Sequence, residues 1–127
     1  MAIESNKETE KETELIGLYY SNLGDGYFLD ALKNYSNGKG FGIGEIWCVF
    51  AEEVQSWEEG YFGEHGVAYY FDYPAVEKDE VLVVDYNVFF RYLQKASKKF
   101  LERNPGCEVE VNALLLAIKR RVNLEHI

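Results

Sequence analysis

The sequence predicts an α+β fold: a small antiparallel sheet of about three strands, with two N-terminal and two C-terminal helices packed on it. Three observations carry this expectation. Apolar residues recur at helical spacing in the first and last thirds of the chain. Between them the period changes to short runs of aromatic and β-branched residues, "IWCVFA" (46–51), "GVAYYFDY" (66–73) and "EVLVVDY" (80–86). The last two runs are joined by the short, turn-rich "PAVEKD", which predicts a hairpin.

Residues 1 to about 12 are almost all polar or charged and read as a flexible acidic arm, leaving 13–127 as a single domain. From Glu14 to Leu23, the residues Leu15, Leu18, Tyr19 and Leu23 share a helical face. Gly24 breaks this helix, and Asp25 is placed to cap a second one carrying Phe28, Leu29, Leu32 and Tyr35. The glycine-rich "SNGKGFGIG" (36–44) then reads as a flexible turn. "IWCVFA" is apolar without interruption, the pattern of a strand buried on both faces. Pro74 suits the end of a strand rather than its interior.

The C-terminal third is clearer. Val88, Phe89, Tyr92, Leu93, Ala96 and Phe100 form an apolar stripe, with Arg91, Lys95, Lys98, Lys99 and Glu102 opposite. Asp85 or Asn87 caps this helix and "NPG" (104–106) stops it. A last helix follows, acidic at its start (Glu108, Glu110) and basic at its end (Lys119, Arg120, Arg121). Its buried face is Val111, Leu114, Leu115, Ile118 and Val122.

Few catalytic constellations survive inspection. The glycines at 38–44 follow a helix and enter a strand, and no Ser or Thr follows Lys39, so neither a phosphate loop nor a dinucleotide fingerprint fits. His65 and His126 are the only histidines, and Cys48 and Cys107 are solitary, which leaves no set with zinc-ligand spacing. No metal and no cofactor is expected. His65 lies between glycines as a loop residue, although a small carboxylate-dependent enzyme using it stays open as an alternative. Two cysteines are too few for a disulfide scaffold, and both read as reduced thiols of a cytoplasmic protein. The longest apolar runs, "IWCVFA" and "ALLLAI", are six residues, against about 18 for a membrane span.

Charge is distributed unevenly. Residues 41–80 carry ten acids and one base, Lys78, whereas 88–127 carry eight bases and four acids. The middle segment also holds Trp57, Tyr61, Phe62, Tyr69, Tyr70, Phe71 and Tyr73. Its sign opposes nucleic acid, whose binding rests on Lys and Arg, and favours a basic partner. Phe71 and one of Tyr69 or Tyr70 read as core. The loop residues either anchor a partner through Trp and Tyr or form a solvated rim; a generic acidic adaptor for some basic protein is a further possibility. The candidate binding set is Glu52, Glu53, Trp57, Glu58, Glu59, Tyr61, Phe62, Glu64, Asp72 and Tyr73, with no catalytic residue.

"GYFLDALKNYSNGKGFG" (26–42), "CVF" (48–50), Trp57, "GVAYYFDY" (66–73) and "DEVLVVDYNVFFRYL" (79–93) together resemble the immunity proteins of bacterial contact-dependent growth inhibition. The likeness is to the group whose cognate toxins are ribonucleases, and it covers about residues 15 to 122. It implies a non-enzymatic inhibitor that binds the C-terminal toxin domain of a large secreted protein and covers its basic active-site or RNA-binding surface. It implies no direct contact with nucleic acid or membrane. The acidic arm departs from the pattern.

Overall fold

The structure is a computed structural model that describes the backbone of residues 2–122 and the side chains of residues 10–122. Three helices and a four-stranded antiparallel sheet build the described residues, in the order α1 (Ala2–Ser36), β1 (Gly42–Ile43), β2 (Ile46–Phe50), β3 (Val67–Phe71), β4 (Glu80–Val84), α2 (Tyr86–Arg103) and α3 (Glu108–Arg121). Short 3-10 turns sit at Ala51–Glu53 and Pro105–Cys107. The α+β expectation holds, with one strand more than expected.

The two expected N-terminal helices are continuous except at Gly24, which has φ 60° and ψ −174°. Such a conformation is essentially reserved for glycine, so the break is encoded where the sequence placed it. Asp25 does not act as the expected cap. Its carboxylate instead accepts from Arg103 Nε (2.9 Å) and Nη2 (2.7 Å) and from Asn104, tying the kink to the end of α2. Those bonds, Arg103 first, hold the Asp25 carboxyl below the usual carboxylate range. The helical backbone of α1 extends back to Ala2 through the segment expected as an arm, and Glu12 accepts a hydrogen bond from the Tyr92 hydroxyl (2.9 Å).

The sheet is a meander in the order β1-β2-β3-β4. Its register pairs Cys48 with Tyr69 and Trp47 with Tyr70, and on the next strand Tyr69 with Leu82 and Tyr70 with Val81. Side chains alternate across a strand, so Ile46, Cys48, Phe50, Val67, Tyr69, Phe71 and Val84 share one face. All seven are buried in a single core with Ile16, Tyr19, Leu32 and Tyr35 of α1, Phe89 and Leu93 of α2, and Val111 and Ile118 of α3. The opposite face carries Trp47, Val49, Ala68, Tyr70, Val81 and Val83. The expectation that the 46–51 run is buried on both faces is therefore corrected: Trp47 and Val49 are only half-buried. Continuous apolarity marks two unlike surfaces here, one covered by helices and one not.

Part of the glycine stretch is strand β1, not simply a turn. Gly40 there runs so close to β2 that any Cβ would collide with the Cys48 carbonyl oxygen. Asp85 caps α2 as expected, its Oδ1 accepting from Val88 N at 2.8 Å. The buried stripe of α2 is Phe89, Phe90, Leu93, Ser97 and Phe100, rotated slightly from the expected one, with Val88, Tyr92 and Ala96 half-buried. In α3, Val111 and Ile118 are buried and Leu114 and Leu115 half-buried, and Val122 at its C-cap is buried.

Candidate functional site

The 51–66 connection leaves β2 and returns into β3, held at its base by Ala51 N donating to Gly66 O (3.0 Å). Its two leading acids are structural as well as charged. Glu53 Oε1 accepts from Phe50 N and Gly40 N, both at 2.8 Å, and pins the glycine turn against the sheet. Glu52 pairs with Arg121 at the end of α3, Nη2 to Oε1 at 2.7 Å. Burial, then the Glu52 carboxylate, raises the phenol pKa of the nearby Tyr86 above its ordinary value.

Beyond Val54 the loop satisfies itself locally. Gln55 N donates to Glu58 Oε1 (2.8 Å), Glu58 N to Gln55 O (3.0 Å) and Tyr61 N to Glu58 O (3.2 Å). These turns present Trp57 to solvent at 80% exposure, beside exposed Glu58 and Glu59. Tyr61 is 38% exposed and Phe62 half-buried. Glu52, Gln55, Ser56, Tyr61 and Glu64 line a cleft of about 290 Å³ at the base of the loop.

Asp72 and Tyr73 stand elsewhere. Antiparallel pairing places Phe50 and Val67 at one end of the sheet and Ile46 and Phe71 at the other. Asp72 N donates to Glu45 O (2.9 Å) and Tyr73 N to Asp79 Oδ1 (2.8 Å), which fixes both residues at that second end, with Tyr73 70% exposed. The expected residues thus form two acidic groups with the outward sheet face between them. The loop leans onto that face: a Cβ added at Gly60 would lie 3.9 Å from the Tyr70 hydroxyl.

The outward face itself was not singled out in the sequence. Trp47 and Tyr70 stack there with centroids 5.1 Å apart and planes 11° from parallel. Val81 and Val83 are 59% and 49% exposed. The signal was present as alternation: Trp47, Val81 and Val83 are one residue out of phase with the core positions.

His65 is exposed, its ring edge-on to Tyr86 at 6.2 Å, and it does not line the loop cleft. His126 lies outside the described residues. Among the described residues no group of three or more His, Cys, Asp or Glu side chains is placed to hold a metal ion. No described helix is long and apolar enough to cross a membrane. The arrangement offers aromatic and aliphatic surface with carboxylates around it, which suits recognition.

No curated protein matches the chain. Residues 12–115 match the protein family described as CDI immunity protein, where CDI is contact-dependent growth inhibition. The matched span takes in most of α1, the entire sheet with its loops, all of α2 and over half of α3. By this match the chain belongs to the CDI immunity protein family.

Proposed function

We propose that the chain acts in the cytoplasm by binding the ribonuclease toxin domain at the C-terminus of a large secreted protein and covering its basic active-site or RNA-binding surface. Family membership supports an immunity role, a cognate toxin as partner and a non-enzymatic mode of action. One observation carries the choice of surface: Trp57 stands almost free of its own protein, beside Glu58 and Glu59 and close in sequence to Tyr61 and Glu64. A ring that gains nothing from the fold is available to a partner, and the carboxylates steer a cationic one toward it. Phe62 is half-buried in the same loop and Glu52 and Glu53 stand at its base, while Asp72 and Tyr73 extend the contact at the far end of the sheet.

The test has two parts. Reversing Glu58 and Glu59 to Lys slows association with the toxin domain by about tenfold or more at low salt; the internal bond lost, Gln55 N to Glu58 Oε1, lies within the exposed loop and the core stays intact. An unchanged rate removes the loop from the interface. The isolated partner is expected to degrade RNA and to stop when one equivalent of the chain is added. A partner that leaves RNA whole refutes the ribonuclease assignment.

A further inference from the structure

The helices cover only one side of the sheet; on the other, Ala68 is buried and the 51–66 loop reaches the Tyr70 hydroxyl, while Trp47 and Tyr70 stay half-buried and Val81 and Val83 exposed. Its central residues, Trp47, Tyr70, Val81 and Val83, are aromatic or aliphatic, and the register places Trp47 opposite Tyr70 and Tyr70 opposite Val81. Two adjoining valines of one strand at 59% and 49% exposure, next to a stacked aromatic pair, make a continuous apolar surface. Such patches on small proteins mark places where something docks.

The surroundings indicate the chemistry of the occupant. From residue 41 to 85 the chain holds eleven acids and a single base, Lys78. Among the described residues, Glu52 pairs with Arg121 and Glu80 with Lys11. Glu58, Glu59 and Glu64 lie in the loop that joins the strands at one end of the sheet, and Glu45, Asp72, Glu77 and Asp79 lie in the turns at the other end. An apolar centre with a negative border on two sides complements a partner that is apolar in the middle and cationic around it. A second copy of this chain would bring the same sign and be repelled.

We infer that the outward face of the sheet, centred on Trp47, Tyr70, Val81 and Val83, is the apolar core of the surface that a cationic toxin domain occupies, with the 54–64 loop and the 72–79 hairpin turn as its acidic rim. This rests on the proposed function and adds the contact that holds the complex once charge has brought it together. Desolvated centres carry most of the energy of an interface, and rim charges mainly set the association rate.

The probe is the cognate toxin domain carrying an inactivating substitution, with binding kinetics measured at 150 mM salt. The variant V81E/V83E keeps the sign of the surface and removes its apolar character. Its expected association rate equals or exceeds that of the unaltered chain, and its dissociation is at least about tenfold faster. Unchanged dissociation overturns the inference. Should the glutamates disturb β4, as thermal melting would reveal, V81T/V83T keeps the β-branching and is expected to dissociate several-fold faster.

E58K/E59K, measured alongside, separates the two readings. Slowed association there with normal dissociation for both valine variants rejects the sheet face and leaves the loop assignment standing. No binding by the unaltered chain rejects both. Sedimentation of the chain alone gives the remaining outcome: a dimer that V81E/V83E dissolves would assign the face to a second copy and overturn the inference.

Discussion

At the residue scale, the most constrained group is a knot of hydroxyls and one thiol under the sheet. Tyr19 donates to the Phe41 carbonyl at 2.8 Å, so the Tyr35 hydroxyl and the Cys48 thiol must donate to the Tyr19 oxygen. Burial pushes the Cys48 thiol up to about 11 and raises Tyr19, Tyr35 and Tyr69 well above the ordinary phenol value. A thiol so placed is unreactive as a nucleophile. Alkylation of the native protein at pH 8, followed by mass spectrometry, is expected to modify half-buried Cys107 well before Cys48. Equal rates would show that the knot opens readily. The same shifts set an alkaline limit. Between the unfolded thiol value of 9.0 and the folded value of about 11, the native state binds more protons, so stability falls as pH rises. The expected slope from Cys48 alone is roughly 1.4 kcal/mol per pH unit, read from melting curves across that window. That Cys48 is a small buried hydrophobe was legible in its apolar run. Its bond to Tyr19, 29 residues away, was not, because no local pattern encodes it.

At the element scale, glycines of opposite consequence sit seven residues apart in α1. A Cβ at Gly17 or Gly24 meets nothing within 4 Å, so packing is not the issue at either position. Gly17 lies in regular helix and Gly24 does not. Gly17→Ala is expected to stabilise the protein by about 0.5–1 kcal/mol, since alanine loses less entropy in a helix. Gly24→Ala is expected to destabilise it by about 1–3 kcal/mol through strain at φ 60°. Urea denaturation of the two variants measures both, and a shared sign would contradict the kink. The sequence was informative about elements wherever one pattern persisted. β2, β3, β4 and α2 stand within one or two residues of their expected spans. β1 was hidden because two residues inside a glycine run carry no period. The partial exposure of the outer face of β2 is hidden in its letters, because apolar residues on both faces look alike whether the second face is enclosed or half-open.

At the scale of the whole molecule, a net charge of −9 is concentrated on the sheet and its loops, while α2 and α3 carry most of the bases. Raising NaCl from about 0.05 to 0.5 M should therefore act in opposite directions on two measurements. Association with a cationic partner is expected to slow by about tenfold or more as the field is screened. The melting temperature is expected to stay level or rise slightly, because self-repulsion is screened as well. A steep fall in melting temperature would mean that surface ion pairs such as Glu52–Arg121 matter more than their exposure suggests. The candidate site was legible as composition: an acidic, aromatic middle of the chain. Its division into two ends of the sheet was not, since nearness in sequence does not say which end of a hairpin a residue occupies. Residues 46–50 and 80–84 show a further consequence of the one-sided cover. In these strands the letters that decide folding, such as Cys48, Phe50 and Val84, alternate with letters that face outward, such as Trp47, Val81 and Val83. On the proposed docking face a lineage can rewrite the second set while the first set stays fixed, so partner choice and foldability are free to drift independently within the same ten positions.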